Sequence, residues 1–319
     1  MLQHVALFAV GLVVLVIGAE CLIRGAVQLA TRLGISPFMI GLTVVGFGTS
    51  APELVVTLSA VLNDKPALAV GNVVGSNIAN VGLILGLAAV VRPIRGNMRL
   101  LTTELPIVLG VTLLFWFLVR DNVLSRADAG VLLLGFAAFT AYMFRTARRE
   151  SAAVKAEVAT EGKEAGPVPV WRGVAFVVLG LLGLVGGAEM MVRGAVEIAR
   201  FLGASELMIG LTVVAVGTSL PELASTVAAA LRGQSDLALG NVIGSNIFNV
   251  LLILGITGMV CPLRLSDAIL MQELPAMALF AALLFPCLAN GLRVSRWEGA
   301  ILLAAYLGFV AWQVTTAVR

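Results

Sequence analysis

The sequence predicts an all-α polytopic membrane protein with ten transmembrane helices in two inverted five-helix repeats, and with broken helices 2 and 7 at the centre. Three observations lead to this fold class. Of the 319 residues, 60% are hydrophobic and only 12% are charged, about half the charged fraction of a soluble domain. The apolar residues form runs of roughly twenty, the length that crosses a hydrocarbon core about 30 Å thick. The two halves of the chain are also similar in sequence.

Ten apolar runs can be drawn, and together they leave no room for a soluble catalytic domain. The first run lacks the basic start of a secretory signal and contains Glu20 and Arg24 near its end, so we expect it to be retained as a span. The runs lie at about 3–23, 37–61, 68–91, 100–119, 127–146, 171–192, 205–231, 237–260, 268–288 and 297–316.

The only long hydrophilic stretch, residues 147–170, separates a first repeat (1–146) from a second repeat (171–319). Its alternating charges and its Pro/Gly end predict a solvated, partly helical linker. Because the span number is even, both termini lie on one side of the membrane. The loops on the linker's side hold 14 of the 21 basic residues. The positive-inside rule therefore predicts a cytoplasmic linker and extracellular or periplasmic termini, in the plasma (inner) membrane.

The repeat relationship is direct, since adding 169 to a residue number in the first half gives its counterpart in the second. The motif at about 41–87 aligns without gaps to the motif at about 210–256, with 29 identities in 47 columns. Five spans per half is an odd number, so the second copy must enter the membrane from the opposite side. Inverted repeats of this kind are typical of secondary transporters that work by alternating access.

Each motif contains a glutamate in the middle of an apolar span, Glu53 in the first half and Glu222 in the second. On insertion scales a charged side chain at this depth costs about 2.5–3.5 kcal/mol, so an ionisable residue here is by default a functional one. Two acids at symmetry-related positions strengthen that interpretation.

The residues around each acid are oxygen donors. Pro52 lacks an N–H, so the helix is expected to open near Gly46–Gly48 and free main-chain carbonyls, and Pro221 should act in the same way on 215–217. Hard cations such as Ca²⁺ and Na⁺ take oxygen ligands, whereas zinc and copper favour His and Cys. The only histidine is His4. The hydroxyl donors beside the two acids are Thr49, Ser50, Thr218 and Ser219.

The next span of each half has a polar stripe at four-residue spacing, which lies along one helix face. Such stripes are often only packing contacts, but beside mid-span carboxylates they favour a site. Glycine pairs at 71/75 and 240/244 have the small-xxx-small spacing of closely packed membrane helices. The stripes consist of Asn72, Ser76 and Asn80 in span three and Asn241, Ser245 and Asn249 in span eight.

Together, Gly-Thr-Ser-x-Pro-Glu-Leu followed by Gly-Asn-Val-x-Gly-Ser-Asn-Ile-x-Asn, present twice, resembles the paired repeats of the Na⁺/Ca²⁺ exchanger family in the cation/Ca²⁺ antiporter superfamily. The short central linker is similar to that of compact prokaryotic members. The resemblance implies that Glu53 and Glu222 are central ligands for both ions. It further implies Ca²⁺ oxygens from Thr49 and Thr218, flanking Na⁺ ligands from Ser50, Ser219, Ser76, Ser245 and the carbonyls of Gly46 and Ala215, and Asn80 and Asn249 facing the centre.

One position departs from part of the family. Some members, including the K⁺-dependent exchangers, have Asp where this chain has Asn249, which weakens the case for K⁺ co-transport. The H⁺/Ca²⁺ exchanger branch usually lacks the Gly-Thr-Ser-x-Pro-Glu arrangement, so the resemblance favours Na⁺ as the driving ion and leaves H⁺ as the alternative. The implied partners are Ca²⁺, Na⁺ and the lipid bilayer, with no resident cofactor, no nucleic acid and possible function as a monomer.

Charge counting gives a mechanism for exchange. Two glutamates give the centre a charge of −2, which one Ca²⁺ or two Na⁺ neutralise, and a third Na⁺ would use neutral oxygens. An empty −2 site is costly to dehydrate and should not cross, so exchange should be obligatory. Two other classes stay open: a cation channel could use the same ligands, and an intramembrane enzyme would need a base or a metal near Ser50 or Ser219. Neither serine has a His or Lys nearby in sequence.

Overall fold

The computed structural model describes residues 2–161, 169–201 and 217–317, and most of them are helical. Short loops join the helices, and four two-residue strands lie in these loops. In chain order the helices are α1 (Leu2–Leu33), α2 (Pro37–Leu62), α3 (Pro66–Val91), α4 (Leu100–Leu118), α5 (Arg126–Glu161), α6 (Val170–Phe201), α7 (Leu220–Leu231), α8 (Ser235–Val260), α9 (Ile269–Ala289) and α10 (Arg296–Ala317).

Eight of these helices are long and apolar enough to cross a bilayer, namely α1 to α6, α8 and α9. The chain is therefore a multi-pass membrane protein. Of the two remaining expected spans, 205–231 is described only from residue 217, where α7 supplies twelve residues, and 297–316 corresponds to α10 with 22 residues. Helix α5 continues to Glu161, well into the expected linker, and residues 162–168 lie outside the described part. The number of ten crossings stays a prediction.

Secondary structure repeats with the same offset of 169 as the sequence. Wide π-helical turns interrupt α3 at Asn80–Leu85 and α8 at Asn249–Leu254. A second pair of π-helical turns opens α4 at Leu100–Glu104 and α9 at Ile269–Glu273. Because π-helical turns are rare and are found mostly at functional sites, their recurrence at equivalent positions indicates a shared local architecture in the two halves.

Helices α1 and α6, the first of each half, pack along their whole length through glycines spaced seven residues apart. A Cβ built on Gly11, Gly18 or Gly25 would approach the backbone nitrogen of Met191, Leu184 or Val177, respectively, within 2.6–2.7 Å. The partner's number falls as the glycine's number rises, so the two helices run antiparallel. The missing side chains let the two backbones meet, as is common between membrane helices.

Two small antiparallel pairings join loops of one half to loops of the other. Strand β1 (Ile94–Arg95) pairs with β4 (Arg293–Val294), and β2 (Val123–Leu124) pairs with β3 (Leu263–Arg264). β1 precedes α4 and β2 follows it. The loops at both ends of this helix are thus tied to the second half of the chain.

The centre of the protein is formed by α2, α3, α7 and α8, and every residue of α8 from Leu237 to Phe248 is buried. Gly240 and Gly244 lie against the backbone of Leu42 in α2, which confirms the predicted close approach in the second half. For Gly71 and Gly75, nothing in the described part of the chain lies within 4 Å of a built Cβ. Helices α2 and α8, which belong to opposite halves, therefore meet at their backbones.

Candidate cation-binding site

Both predicted acids lie immediately after a break in a helix. In α2 the break is at Ser50 (φ −81°, ψ 2°), and α7 begins after the equivalent residue Ser219 (φ −91°, ψ 6°). Glu53 and Glu222 fall in the first turn that follows, where the free N–H groups and the helix dipole favour a carboxylate.

The break in α2 is later than the sequence predicted. Gly46–Thr49 is α-helical, preceded by a π-helical turn at Gly41–Val45. The carbonyl of Gly46 accepts the amide N–H of Ser50 at 3.1 Å and the hydroxyl of Ser245 at 3.4 Å. The expected opening near Gly46–Gly48 is therefore wrong. The helix continues to Thr49 and turns at Ser50, so Pro52 falls in the first turn of the next helical segment, where its missing N–H breaks no helical hydrogen bond. The matching carbonyl of Ala215 lies outside the described residues.

Hydrogen bonds cross between the halves in a reciprocal way. The hydroxyl of Ser50 donates to Oε1 of Glu222 at 3.2 Å, and the hydroxyl of Ser219 donates to Oε1 of Glu53 at 3.4 Å. Each serine precedes the acid of its own half by three residues but binds the acid of the other half. The two acids, which are 169 residues apart in sequence, therefore belong to one cluster, and each is only 1% exposed.

Four side-chain oxygen atoms of the predicted site residues are buried and have no hydrogen-bond donor in the described part of the chain. They are Oε2 of Glu53, Oε2 of Glu222, Oδ1 of Asn80 and Oδ1 of Asn249. Buried polar atoms nearly always have a partner, so each exception calls for an explanation. Acceptors without donors, two of them on carboxyl groups, are suited to a cation.

The two predicted serines of the polar stripes, Ser76 and Ser245, each contact the opposite half of the chain. Ser219 Oγ is 3.5 Å from Ser76 Oγ, which connects α3 to the break before α7. Ser245 is fully buried and donates to Gly46, as described above. Thr218 is 9% exposed, and it too forms an interaction. These contacts join Ser76 to Ser219 and Ser245 to Gly46 across the two halves.

Asn241, which the sequence analysis placed only on a polar stripe, links the two halves through Thr49. Its Oδ1 accepts the Thr49 hydroxyl at 3.0 Å, and its Nδ2 donates to Ser225 and Thr226 of α7 at 2.9 and 2.8 Å. The counterpart Asn72 donates to Thr57 at 3.1 Å. Asn241 thus joins the acid-bearing segments of α2 and α7 to α8, and Asn72 joins α2 to α3.

Two further buried asparagines, Asn77 and Asn246, were missed by the sequence analysis. Asn80 Nδ2 donates to Asn246 Oδ1, and Asn249 Nδ2 donates to Asn77 Oδ1, both at 2.9 Å. The signal was present, because both lie inside the duplicated Gly-Ser-Asn-Ile motif. Asn77 and Asn246 lie three residues before Asn80 and Asn249, so a stripe with four-residue spacing does not include them.

Within the described residues no cluster of three or more His, Cys, Asp or Glu side chains is found. A cation between the two halves would therefore meet two carboxyl groups and otherwise neutral hydroxyl and amide oxygens. This oxygen set matches Na⁺ and Ca²⁺, which bind oxygen ligands.

Comparison with known families supports this chemistry. The model of the family described as "Sodium/calcium exchanger protein" matches residues 3–145 and 172–315.

The chain belongs to the sodium/calcium exchanger family.

Relatives and solved structures of this family cover almost the whole chain. The sodium/calcium exchanger MaX1 of Methanosarcina acetivorans is 34% identical over 336 residues, covering 94% of this chain and 95% of that protein. The inner membrane protein YrbG of Escherichia coli is 37% identical over 322 residues, covering 98% and 96%. The structure of the sodium-calcium exchanger NCX_Mj soaked with Na⁺ and Sr²⁺ superposes with a TM-score of 0.84 at 32% identity, covering 97% of this chain and 98% of that chain.

The family to which the chain belongs is one of membrane transporters and not of enzymes. The match also confirms the family that the doubled motif indicated in the sequence. The roles of individual residues depend on the geometry of this chain, as argued next.

Proposed function

We propose that this protein is a secondary active antiporter that exchanges Ca²⁺ for Na⁺ by alternating access, with Glu53 and Glu222 as the central ligands of both ions. The observation that carries the proposal is the reciprocal bonding of Ser50 to Glu222 and of Ser219 to Glu53. This arrangement builds one site from both halves and leaves an oxygen of each carboxyl group without a donor.

The remaining ligands are proposed from the resemblance to the exchanger family. Asn80 and Asn249 would offer their free Oδ1 atoms, and the hydroxyls and carbonyls around them would complete the coordination. In this proposal Thr49 and Thr218 serve Ca²⁺. Flanking Na⁺ positions use Ser50, Ser219, Ser76, Ser245 and the carbonyls of Gly46 and Ala215.

The charge of the site explains why transport would be coupled. Both carboxylates are buried to 1% exposure, and burying an uncompensated charge in a low-dielectric interior is very costly. One Ca²⁺ or two Na⁺ neutralise the pair, while an empty site carries −2. The site can therefore reorient across the membrane when an ion is bound but not when it is empty. One ion then crosses only in exchange for the other.

Alternating access is supported by the relation between the halves. The equivalent helices α1 and α6 run antiparallel and meet at glycines, as inverted repeats with smooth contact surfaces would. The strand pairings tie loops of one half to loops of the other. Transporters with inverted repeats hold their site at the repeat interface and open it to one side at a time. With the linker in the cytoplasm, the protein would sit in the plasma membrane with its termini outside.

The test is Ca²⁺ uptake into proteoliposomes under an outward Na⁺, K⁺ or H⁺ gradient, each applied alone. We expect uptake with the Na⁺ gradient and loss of at least about 10-fold in Glu53→Gln and Glu222→Gln. Glu273→Gln is the matched control, because it makes the same change at a half-buried acid at the start of α9. It should leave uptake unchanged.

The other outcomes have defined meanings. Uptake driven by H⁺ alone would replace Na⁺ as the coupling ion, and a requirement for K⁺ would contradict the interpretation of Asn249. Rapid Ca²⁺ entry without any opposing gradient would indicate a channel. Unchanged exchange in both glutamine variants would exclude the two acids as ligands.

A further inference from the structure

We infer that Asn77 and Asn246 are positioning residues that turn the side-chain carbonyls of Asn80 and Asn249 towards the transported cation. Neither asparagine is itself a proposed ligand. The inference rests on the proposed function, since it concerns how the same site is prepared for an ion.

The geometry is reciprocal between the halves. Asn246, in α8, accepts Nδ2 of Asn80 from α3, while Asn77, in α3, accepts Nδ2 of Asn249 from α8. Both bonds measure 2.9 Å, and all four side chains are 5% exposed or less. Each half therefore orients the amide that the other half presents.

The orientation matters because an amide has two chemically different ends. The NH₂ end donates and the oxygen end accepts, so only one of the two flipped orientations can bind a cation. A donor bond from Nδ2 to Asn246 or Asn77 commits the NH₂ end to the neighbouring helix. The oxygen ends of Asn80 and Asn249 are then left buried and without donors, available to a cation.

One of the two orienting residues, Asn77, is itself held in place. Asn77 Nδ2 donates at 3.1 Å to the backbone carbonyl of Asn246, so its Oδ1 is the end that remains to accept from Asn249. Each of the residues Asn80 and Asn249 begins a π-helical turn. The network thus sits where the backbone widens, at the same position in both halves.

A fixed orientation would lower the cost of binding, since a partner that orients a metal ligand typically contributes 10–100-fold in affinity. The decisive experiment is a double-mutant cycle on Ca²⁺ affinity. Ca²⁺ binding to the purified protein is measured by titration calorimetry, and the Ca²⁺ KM by Na⁺-driven uptake, for wild type, Asn246→Leu, Asn80→Ala and the double variant.

We expect Asn246→Leu to weaken Ca²⁺ binding and raise the Ca²⁺ KM by about 10-fold or more, with a much smaller change in kcat. In the Asn80→Ala background the same substitution should have little further effect, because there is no amide left to orient. Thr257→Val is the matched control on α8, since it also removes a buried side-chain hydrogen bond, here to the carbonyl of Ile253. It should leave the KM unchanged.

Equal loss from Asn246→Leu in both backgrounds would overturn the inference, because the residue would then act on stability or packing and not through Asn80. If that variant does not fold, Asn77→Leu measured with and without Asn249→Ala carries the same expectation for the mirror pair. Absence of Ca²⁺ binding and exchange in wild type would instead refute the proposed function, and this inference with it.

Discussion

The glycine contact between α1 and α6 gives a sharp prediction about stability. Gly18 lies at the middle of this contact, and a Cβ built on it would be 2.6 Å from the backbone nitrogen of Leu184 and 2.7 Å from the backbone carbonyl carbon of Gly183. Both atoms belong to the main chain of α6, so no side-chain rotation can relieve the contact. Gly18→Ala must therefore push the two helices apart.

The size of the effect follows from these distances. Non-bonded carbon contacts are favourable at about 3.5 Å or more, so the backbones would have to separate locally by about 0.9 Å. Overpacking of this kind typically costs 1–3 kcal/mol. Alanine recovers up to about 1 kcal/mol through its higher helix propensity. We expect a net loss near 1–2 kcal/mol and a Tm lower by roughly 2–4 °C, at about 2 °C per kcal/mol.

The measurement is thermal unfolding of the purified protein in detergent, and the control is Gly186→Ala. Gly186 lies on α6, but nothing is found within 4 Å of its built Cβ in the described chain, so alanine there should be neutral or slightly stabilising. A Gly18→Ala protein as stable as Gly186→Ala would show that the helices do not meet at their backbones as described.

Two further predictions concern contacts outside the cation site. Arg232→Asn should remove the ion pair that joins the end of α7 to Glu20 of α1. The side chains are 44% and 29% exposed, so the loss of stability should be below about 1 kcal/mol, with faster hydrogen–deuterium exchange in the part of α1 around Glu20. Glu189→Gln is the control, because it breaks an ion pair within one helix. Equal rates of hydrogen–deuterium exchange around Glu20 in the two variants would contradict the prediction. Phe248→Ala should remove edge-to-face contacts with three phenylalanines and cost about 3 kcal/mol, the low end of the range for buried Phe→Ala. Phe144→Ala is the control, because Phe144 is 65% exposed and its loss should change stability little. Similar Tm values for the two variants would contradict the prediction.

Much of the candidate site could be predicted from the duplicated motif, because a mid-span acid flanked by hydroxyls is too costly to be incidental. Glu53, Glu222, Ser50 and Ser219 were found in this way, and the structure brings them together. The pairing of each serine with the opposite acid was not predictable, since it depends on how the two halves are packed.

The local form of the broken helix also had to come from the structure. Proline chemistry predicted that α2 would open, but placed the opening at Gly46–Gly48 and not at Ser50. A break at Ser50 places Pro52 in the first turn of the following segment, where its missing N–H costs no helical hydrogen bond, and sequence gives little basis for choosing this position over one a turn earlier. Asn77 and Asn246 lie inside the duplicated motif and could have been singled out from it, but their hydrogen bonds between α3 and α8 could not be predicted, because those depend on how the two helices pack.

The amino-acid sequence by itself determined the membrane class, the duplication and the exchanger family, because composition, span length and repeated motifs are properties of the chain read in one dimension. Tertiary structure alone decided which amide end of Asn80 and Asn249 bonds to the neighbouring helix, which serine binds which acid and how closely α1 and α6 approach. Those features depend on distances of about 3 Å between residues more than a hundred positions apart, and only the packing of the two halves against each other sets them.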